Sequence, residues 1–174
     1  MDSFKYNIIS LSISAVLTVI GTPFIYNMLK DNSCTCPNYK NEDIPTSMGL
    51  IYIIVQTFTV GLVGLLSGEL YYSILYLVGL IFIGLVGLFD DLVGDKNVKG
   101  FRGHITSFFK GTLTSGGLKA GVGFLVALLI SSYISKGVVE IILNTLIISL
   151  FTNFLNLFDL RPGRAGKVFI ILVI

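Results

Sequence analysis

Long apolar runs separated by short polar stretches dominate the chain, and each run has the length of a membrane span. Crossing the hydrocarbon core as a helix takes roughly 20 apolar residues. Complete runs of this kind fall at residues 7–29, 49–67, 70–89, 117–135 and 138–158. A further run begins at Val168 and is still apolar at Ile174, with no flanking charge to close it, so the sequence reads as the N-terminal half of a larger bundle. The expected fold is all-α: a polytopic transmembrane helix bundle with five complete spans plus the start of a sixth, forming one integral membrane domain over residues 1–174. The first run is too long for the core of a signal peptide and carries no clear processing site, so it reads as a retained helix. Gly21 and Pro23 inside it predict a local kink of the kind membrane helices tolerate.

Composition agrees with the pattern. Hydrophobic residues make up 53% of the chain and charged residues 13%, against about a quarter charged in a soluble domain. The basic residues are placed unevenly. Lys30, Lys40, Lys96, Lys99, Arg102, Lys110, Lys119, Arg161, Arg164 and Lys167 fall on one side of the expected membrane, and only Lys5 and Lys136 fall on the other. The positive-inside rule then puts the N-terminus outside a cell membrane and makes the connections at about 30–48, 90–116 and 159–167 cytoplasmic. The outer turns, around Gly68-Glu69 and Lys136-Gly137, are too short to carry chemistry. Topology accounts for most of the basic residues behind the net charge of +2, and no basic stripe interleaved with aromatics points to nucleic acid. Cys34 and Cys36 lie one residue apart in a reduced compartment without further ligands nearby, which reads as two ordinary loop thiols.

The polar features collect on the cytoplasmic face. Asp90 and Asp91 close the third apolar run. A carboxylate near the bilayer centre costs roughly 2.5 to 3.5 kcal/mol on insertion scales, so the pair belongs at the membrane edge, facing water, metal or a cation. Before the second span, Pro45-Thr46-Ser47-Met48-Gly49 fixes a helix start whose backbone amides face the same side. The connection after Asp91 holds Asp95, Lys96, Lys99, Arg102 and the only histidine, His104. Within it Phe101, Ile105, Phe108 and Phe109 recur at helical spacing, as in a short amphipathic helix lying on the membrane surface, with His104 on its polar face. Lys119 sits just inside the fourth span. At the end of the fifth, Asn153, Asn156 and Asp159 form a drifting stripe expected to face the bundle interior. Helix-to-helix hydrogen bonding accounts for the asparagines but less well for Asp159. Carboxylates, a lysine and several arginines on one membrane face suit a Mg²⁺-assisted phosphate site.

These residues resemble the polyprenyl-phosphate N-acetylhexosamine-1-phosphate transferases, the family that includes phospho-N-acetylmuramoyl-pentapeptide transferase. Pro45-Thr46-Ser47-Met48-Gly49 resembles the family's Pro-Thr-Met-Gly-Gly, and Phe89-Asp90-Asp91 its aspartate pair after the third span. Lys119 resembles its lysine opening the fourth span, and Asn153-Phe154-Leu155-Asn156-Leu157-Phe158-Asp159 its Asn-x-x-Asn-Leu-x-Asp segment. The resemblance implies Mg²⁺-dependent transfer of a sugar 1-phosphate from a UDP-sugar to a polyprenyl phosphate, with release of UMP, in cell-wall peptidoglycan or surface-polysaccharide synthesis. Implied catalytic and metal-binding residues are Asp90, Asp91 and Asp159. Implied substrate-binding residues are Lys119, Asn153, Asn156, Arg161, Arg164 and Thr46.

The chain departs from the family pattern in three places. Asp159-Leu160-Arg161-Pro162-Gly163-Arg164 stands where many members read Asp-Gly-x-Asp-Gly-Leu, Ser47 is inserted before Met48, and Gly94 stands where some relatives have a lysine. The family's later Gly-Asp metal motif and histidine-rich loop are not in this sequence, and such a fragment alone is expected to be inactive. A degenerate homologue that binds polyprenyl phosphate, nucleotide sugar or a protein partner without catalysis is the alternative. A small transporter is a third reading, but it calls for ionisable groups near mid-span, and spans two to four carry none outside their ends. The pairs Gly61 and Gly64, and Gly84 and Gly87, suggest close helix packing and leave a homodimer open.

Overall fold

The computed structural model describes residues 2–94, 100–159 and 163–173. It is an all-α helical architecture with one small hairpin: α1 (Asp2–Asp31), β1 (Thr35–Pro37), β2 (Asp43–Pro45), α2 (Leu50–Ser67), α3 (Leu70–Val93), α4 (Gly100–Phe109), α5 (Ser115–Ile134), α6 (Val138–Phe158) and α7 (Arg164–Val173). Five of these helices, α1, α2, α3, α5 and α6, are long and apolar enough to cross a membrane. They match the five complete apolar runs.

No soluble core forms. Leu29, Val55, Val126 and Ala127 are the buried hydrophobic residues among those described, while side chains such as Leu11, Phe24, Phe58 and Leu85 face outward. So much outward apolar surface is stable only when lipid covers it, so the protein is membrane-embedded and multi-pass. Hydroxyls within the spans turn back onto their own helix: Thr57 Oγ1 donates to the Ile53 carbonyl at 2.7 Å, and Thr145 Oγ1 to that of Ile141 at 2.7 Å. Such bonds satisfy a polar group in lipid without a partner helix.

The chain divides into two compact units, Met1–Lys119 and Ala120–Ile174. In the first, α1 packs on α2 and α2 on α3. The Tyr6 hydroxyl donates to the Leu66 carbonyl at 2.9 Å, tying the start of α1 to the end of α2. Near the same end Gly64 faces Ser73 so closely that a Cβ would fall on the serine hydroxyl, with the serine Cβ 2.6 Å away. Gly64→Val is expected to destabilise this pairing by about 1–3 kcal/mol, the usual cost of overpacking. The readout is a lower thermal midpoint in detergent, and an unchanged midpoint would show that α2 and α3 separate there without cost. In the second unit α7 packs on α6, and the Asn144 amide donates to Ser135 Oγ at 2.8 Å.

Three boundaries differ from the sequence expectation. Helix α1 extends beyond 7–29 at both ends, with Pro23 inside it. Helix α3 continues past Phe89 through Asp90 and Asp91 to Val93, because no helix-breaking residue occurs before Gly94. Helix α7 begins at Arg164, inside the segment expected to be a loop and before Val168.

Candidate functional site

The site is assembled at the end of the first unit where the hairpin, the start of α2, the end of α3 and the start of α5 meet. The hairpin is short and locally determined. Thr35 pairs with Pro45, Cys36 with Ile44 and Pro37 with Asp43, antiparallel. Asn38 closes its turn, with Oδ1 accepting the Lys40 and Glu42 backbone N–H groups at 2.7 and 3.1 Å. This side-chain-to-backbone pattern is the reason asparagine favours turns. Cys34 and Cys36 are free thiols, and Cys36, expected in a loop, lies in β1.

The hairpin fixes the residues that lead into α2. Thr46 donates twice to the Cys34 carbonyl, from its backbone N–H at 2.9 Å and from Oγ1 at 3.1 Å. Its hydroxyl is therefore committed to the base of the hairpin. Ser47, the next residue, is held at φ 61°, in the left-handed region where a non-glycine residue is strained. Its Oγ is buried with no hydrogen-bond partner among the described residues, and the residue lines a cleft of about 280 Å³ between α2 and α3. Ser47 is the site residue that sequence reasoning passed over. Its insertion before Met48 was the available signal.

The continuation of α3 changes what the aspartate pair does. Successive residues on a helix point about 100° apart, so Asp90 and Asp91 serve different neighbours. The Asp90 carboxylate lies 3.6 Å from the Lys119 amine, with its side chain 30% exposed and that of Lys119 46% exposed. A partly solvated pair of this kind contributes at most about 1 kcal/mol to stability. Asp90 is thus a counter-charge beside the lysine amine more than a contribution to fold stability. Asp91 instead lines the cleft, together with Lys119 and Ser47. Both carboxylates occupy the last turn of α3, where the helix dipole disfavours negative charge. For Asp90 the Lys119 amine offsets part of that cost.

Below this polar mouth the walls are apolar, formed by Leu50, Ile53, Leu80, Ile83 and Leu88, with Gly84 and Gly87 leaving space. Tyr52 also lines the cleft and is hydrogen-bonded to Tyr76, linking α2 to α3. Pockets for whole small molecules span roughly 300–1,000 Å³. A cleft at the lower edge of that range suits a phosphate head followed by a short length of hydrocarbon better than a complete nucleotide sugar.

Asn153, Asn156 and Asp159 belong to the second unit. All three are exposed, and Asp159 forms the C-cap of α6, its N–H donating to the Asn156 carbonyl at 3.2 Å. Among the described residues of the second unit, the asparagine amide that bonds another side chain is that of Asn144 rather than either asparagine of the stripe, both of which are exposed instead of facing a bundle interior. Arg164 opens α7 and is half-buried. Arg161 lies outside the described residues, as do Asp95, Lys96 and Lys99 and the side chain of Arg102.

Among the described residues, no group of three or more His, Cys, Asp or Glu side chains is placed to hold a metal ion. The donor set at the cleft nevertheless suits Mg²⁺, which usually takes one or two carboxylates and completes its shell with phosphate oxygens and water. Asp91, exposed at the mouth, and Asp90 beside it in sequence are hard oxygen donors of that kind. No family model, curated protein or solved structure matches this chain.

Proposed function

We propose that the protein transfers a sugar 1-phosphate from a UDP-N-acetylhexosamine to a polyprenyl phosphate at the cytoplasmic face of the membrane, releasing UMP. The observation that carries this reading is the amphiphilic cleft: Asp91, Lys119 and Ser47 at its mouth, over apolar walls. That combination fits a phosphate attached to a hydrocarbon chain lying in the bilayer. The ordered resemblance of Pro45-Thr46-Ser47-Met48-Gly49, Asp90-Asp91, Lys119 and the Asn153 to Asp159 segment to the transferase family supports it, as does the concentration of basic residues on one set of connections.

In this reaction an oxygen of the lipid phosphate attacks the β-phosphorus of the UDP-sugar. A new phosphoanhydride bond forms to the lipid, the α–β bond breaks, and UMP leaves with the bonding electrons. Lys119 neutralises phosphate charge at the mouth of the cleft, and Asp90 holds its amine there. Asp91 takes the remaining proton of the lipid phosphate or holds the metal. Bound Mg²⁺ would supply charge neutralisation on the pyrophosphate and its leaving group, with Asp91 at the cleft as the carboxylate that would hold it. For Asn153, Asn156, Arg161 and Arg164 a part in nucleotide or phosphate binding rests on the family resemblance alone. Ser47 lines the same cleft, its hydroxyl buried and without a partner among the described residues.

The cleft assignment is tested by photo-crosslinking. A polyprenyl phosphate carrying a photoreactive group in its first isoprene units is expected to label α2 and α3 segments containing Ile53, Leu80 or Ile83, and to be displaced by unlabelled polyprenyl phosphate. Labelling spread evenly over α1 and α6, or labelling displaced equally by a polyprenyl alcohol, contradicts a phosphate-specific site.

A further inference from the structure

The connection between the aspartate pair and Lys119 is fastened by a contact that the transferase reading does not use. His104 on α4 and Thr114, immediately before α5, are ten residues apart in sequence, yet the imidazole Nδ1 lies 2.8 Å from the threonine Oγ1. Thr114 is buried, and the same Oγ1 accepts the Gly117 backbone N–H at 3.1 Å, which makes it the N-cap of α5. The Thr114 carbonyl accepts the Leu118 N–H at 2.9 Å. On its other side the ring lies over the first turn of α5. A Cβ at Gly116 would sit 2.7 Å from Cε1 and 3.0 Å from Nε2, so the residue there has to be glycine for the imidazole to fit.

We propose that His104 is a positioning residue for Lys119. The contacts form a chain: His104 orients the Thr114 hydroxyl, Thr114 caps and sets the start of α5, and α5 carries Lys119 just over one turn later to meet Asp90. A threonine hydroxyl has one proton and two lone pairs. After accepting from Gly117, it still has its proton to give to Nδ1, which leaves the imidazole proton on Nε2 and both groups satisfied. Among the described residues no other side-chain hydrogen bond joins α4 to the start of α5, and without this one the hydroxyl that caps the first turn of α5 loses its orienting partner. The placement argument rests on geometry alone, and only its consequence for turnover rests on the transferase reading.

Two readouts that need no catalysis test it on the full-length protein in detergent. The sequence has a single histidine, so protein labelled with ¹⁵N-histidine gives one pair of ring signals. In the unmodified chain Nδ1 is expected to show the shift of a hydrogen-bonded nitrogen. That shift is expected to survive in Thr114→Ser and to be lost in Thr114→Val. A solvent-exchanged imidazole in the unmodified chain, or the same signal in all three proteins, overturns the proposal.

The second readout is the rate at which a charged methanethiosulfonate modifies Lys119→Cys in a Cys34→Ser/Cys36→Ser background. His104→Phe, which keeps a ring over Gly116 but cannot bond Thr114, is expected to change that rate by about three- to tenfold, the equivalent of one net hydrogen bond. Thr114→Val is expected to do the same and Thr114→Ser to leave the rate as it was. Equal rates in all variants would mean that His104 only packs. Because neither readout involves UMP, failure here is distinguishable from failure of the transferase reading.

Discussion

Asp91→Asn is expected to cost at least about 10²–10⁴-fold in UMP release, the usual range for losing a positioned acid–base group. Asparagine keeps the size of the side chain and removes its charge, so the cleft keeps its shape. Stability is expected to stay within about 0.5 kcal/mol of the parent, as for an exposed substitution. Asp91 is exposed and lines the cleft, whereas Asp90 is half-buried and paired with Lys119. Asp90→Asn is therefore expected to have the smaller effect, because it loosens the lysine rather than removing a group from the mouth. Initial rates of UMP formation at saturating substrate, measured for both variants, check the order. Equal losses would mean that the two carboxylates act as one unit, and a larger loss for Asp90 would reverse the roles assigned here.

Lys119→Met is expected to lower kcat/KM for polyprenyl phosphate by about 10²–10³-fold, the scale on which one preorganised charge-stabilising donor acts. Methionine preserves most of the apolar stem and deletes the ammonium. Lys119→Arg keeps the positive charge and is expected to recover part of the loss, though a planar guanidinium will not reproduce the 3.6 Å approach to Asp90. The ion pair is too solvated for either variant to unfold the protein. If Lys119→Met instead lost activity in proportion to a lowered thermal midpoint, the lysine would be a structural element, and its place at the cleft would be incidental.

The spans were legible because the physics behind them is one-dimensional: about 20 apolar residues in a row have few alternatives in a chain of this composition. All five long helices stand where the hydropathy pattern puts them. The end of α3 was misjudged for a specific reason. Two aspartates look like the boundary of a span, and they are the boundary of its apolar part, but a helix ends where its backbone is interrupted, and that happens at Gly94. The difference of four residues, from Phe89 to Val93, decides the site, because it places Asp90 and Asp91 on a helix and turns them in different directions.

Other features depended on contacts that no local pattern carries. The hairpin has three-residue strands with a proline at the end of each, below the length at which alternation is readable, and it is closed by one asparagine. Whether Thr46 or Ser47 faces the cleft is decided by the Cys34 carbonyl, twelve residues back. His104, read from the sequence as a polar-face residue, has a partner in Thr114 and a matching glycine in Gly116. Each of these is a tertiary fact, and each changes the role of a residue without changing the fold class.

Transfer of the β-phosphorus label from [β-³²P]UDP-N-acetylhexosamine into a chloroform-soluble polyprenyl product, followed together with UMP formation by the full-length protein, tests the central claim most directly. The account predicts Mg²⁺-dependent labelling of the lipid in a one-to-one ratio with UMP, abolished in Asp91→Asn. A folded protein that binds polyprenyl phosphate in the α2–α3 cleft but transfers no label from any UDP-N-acetylhexosamine would contradict it.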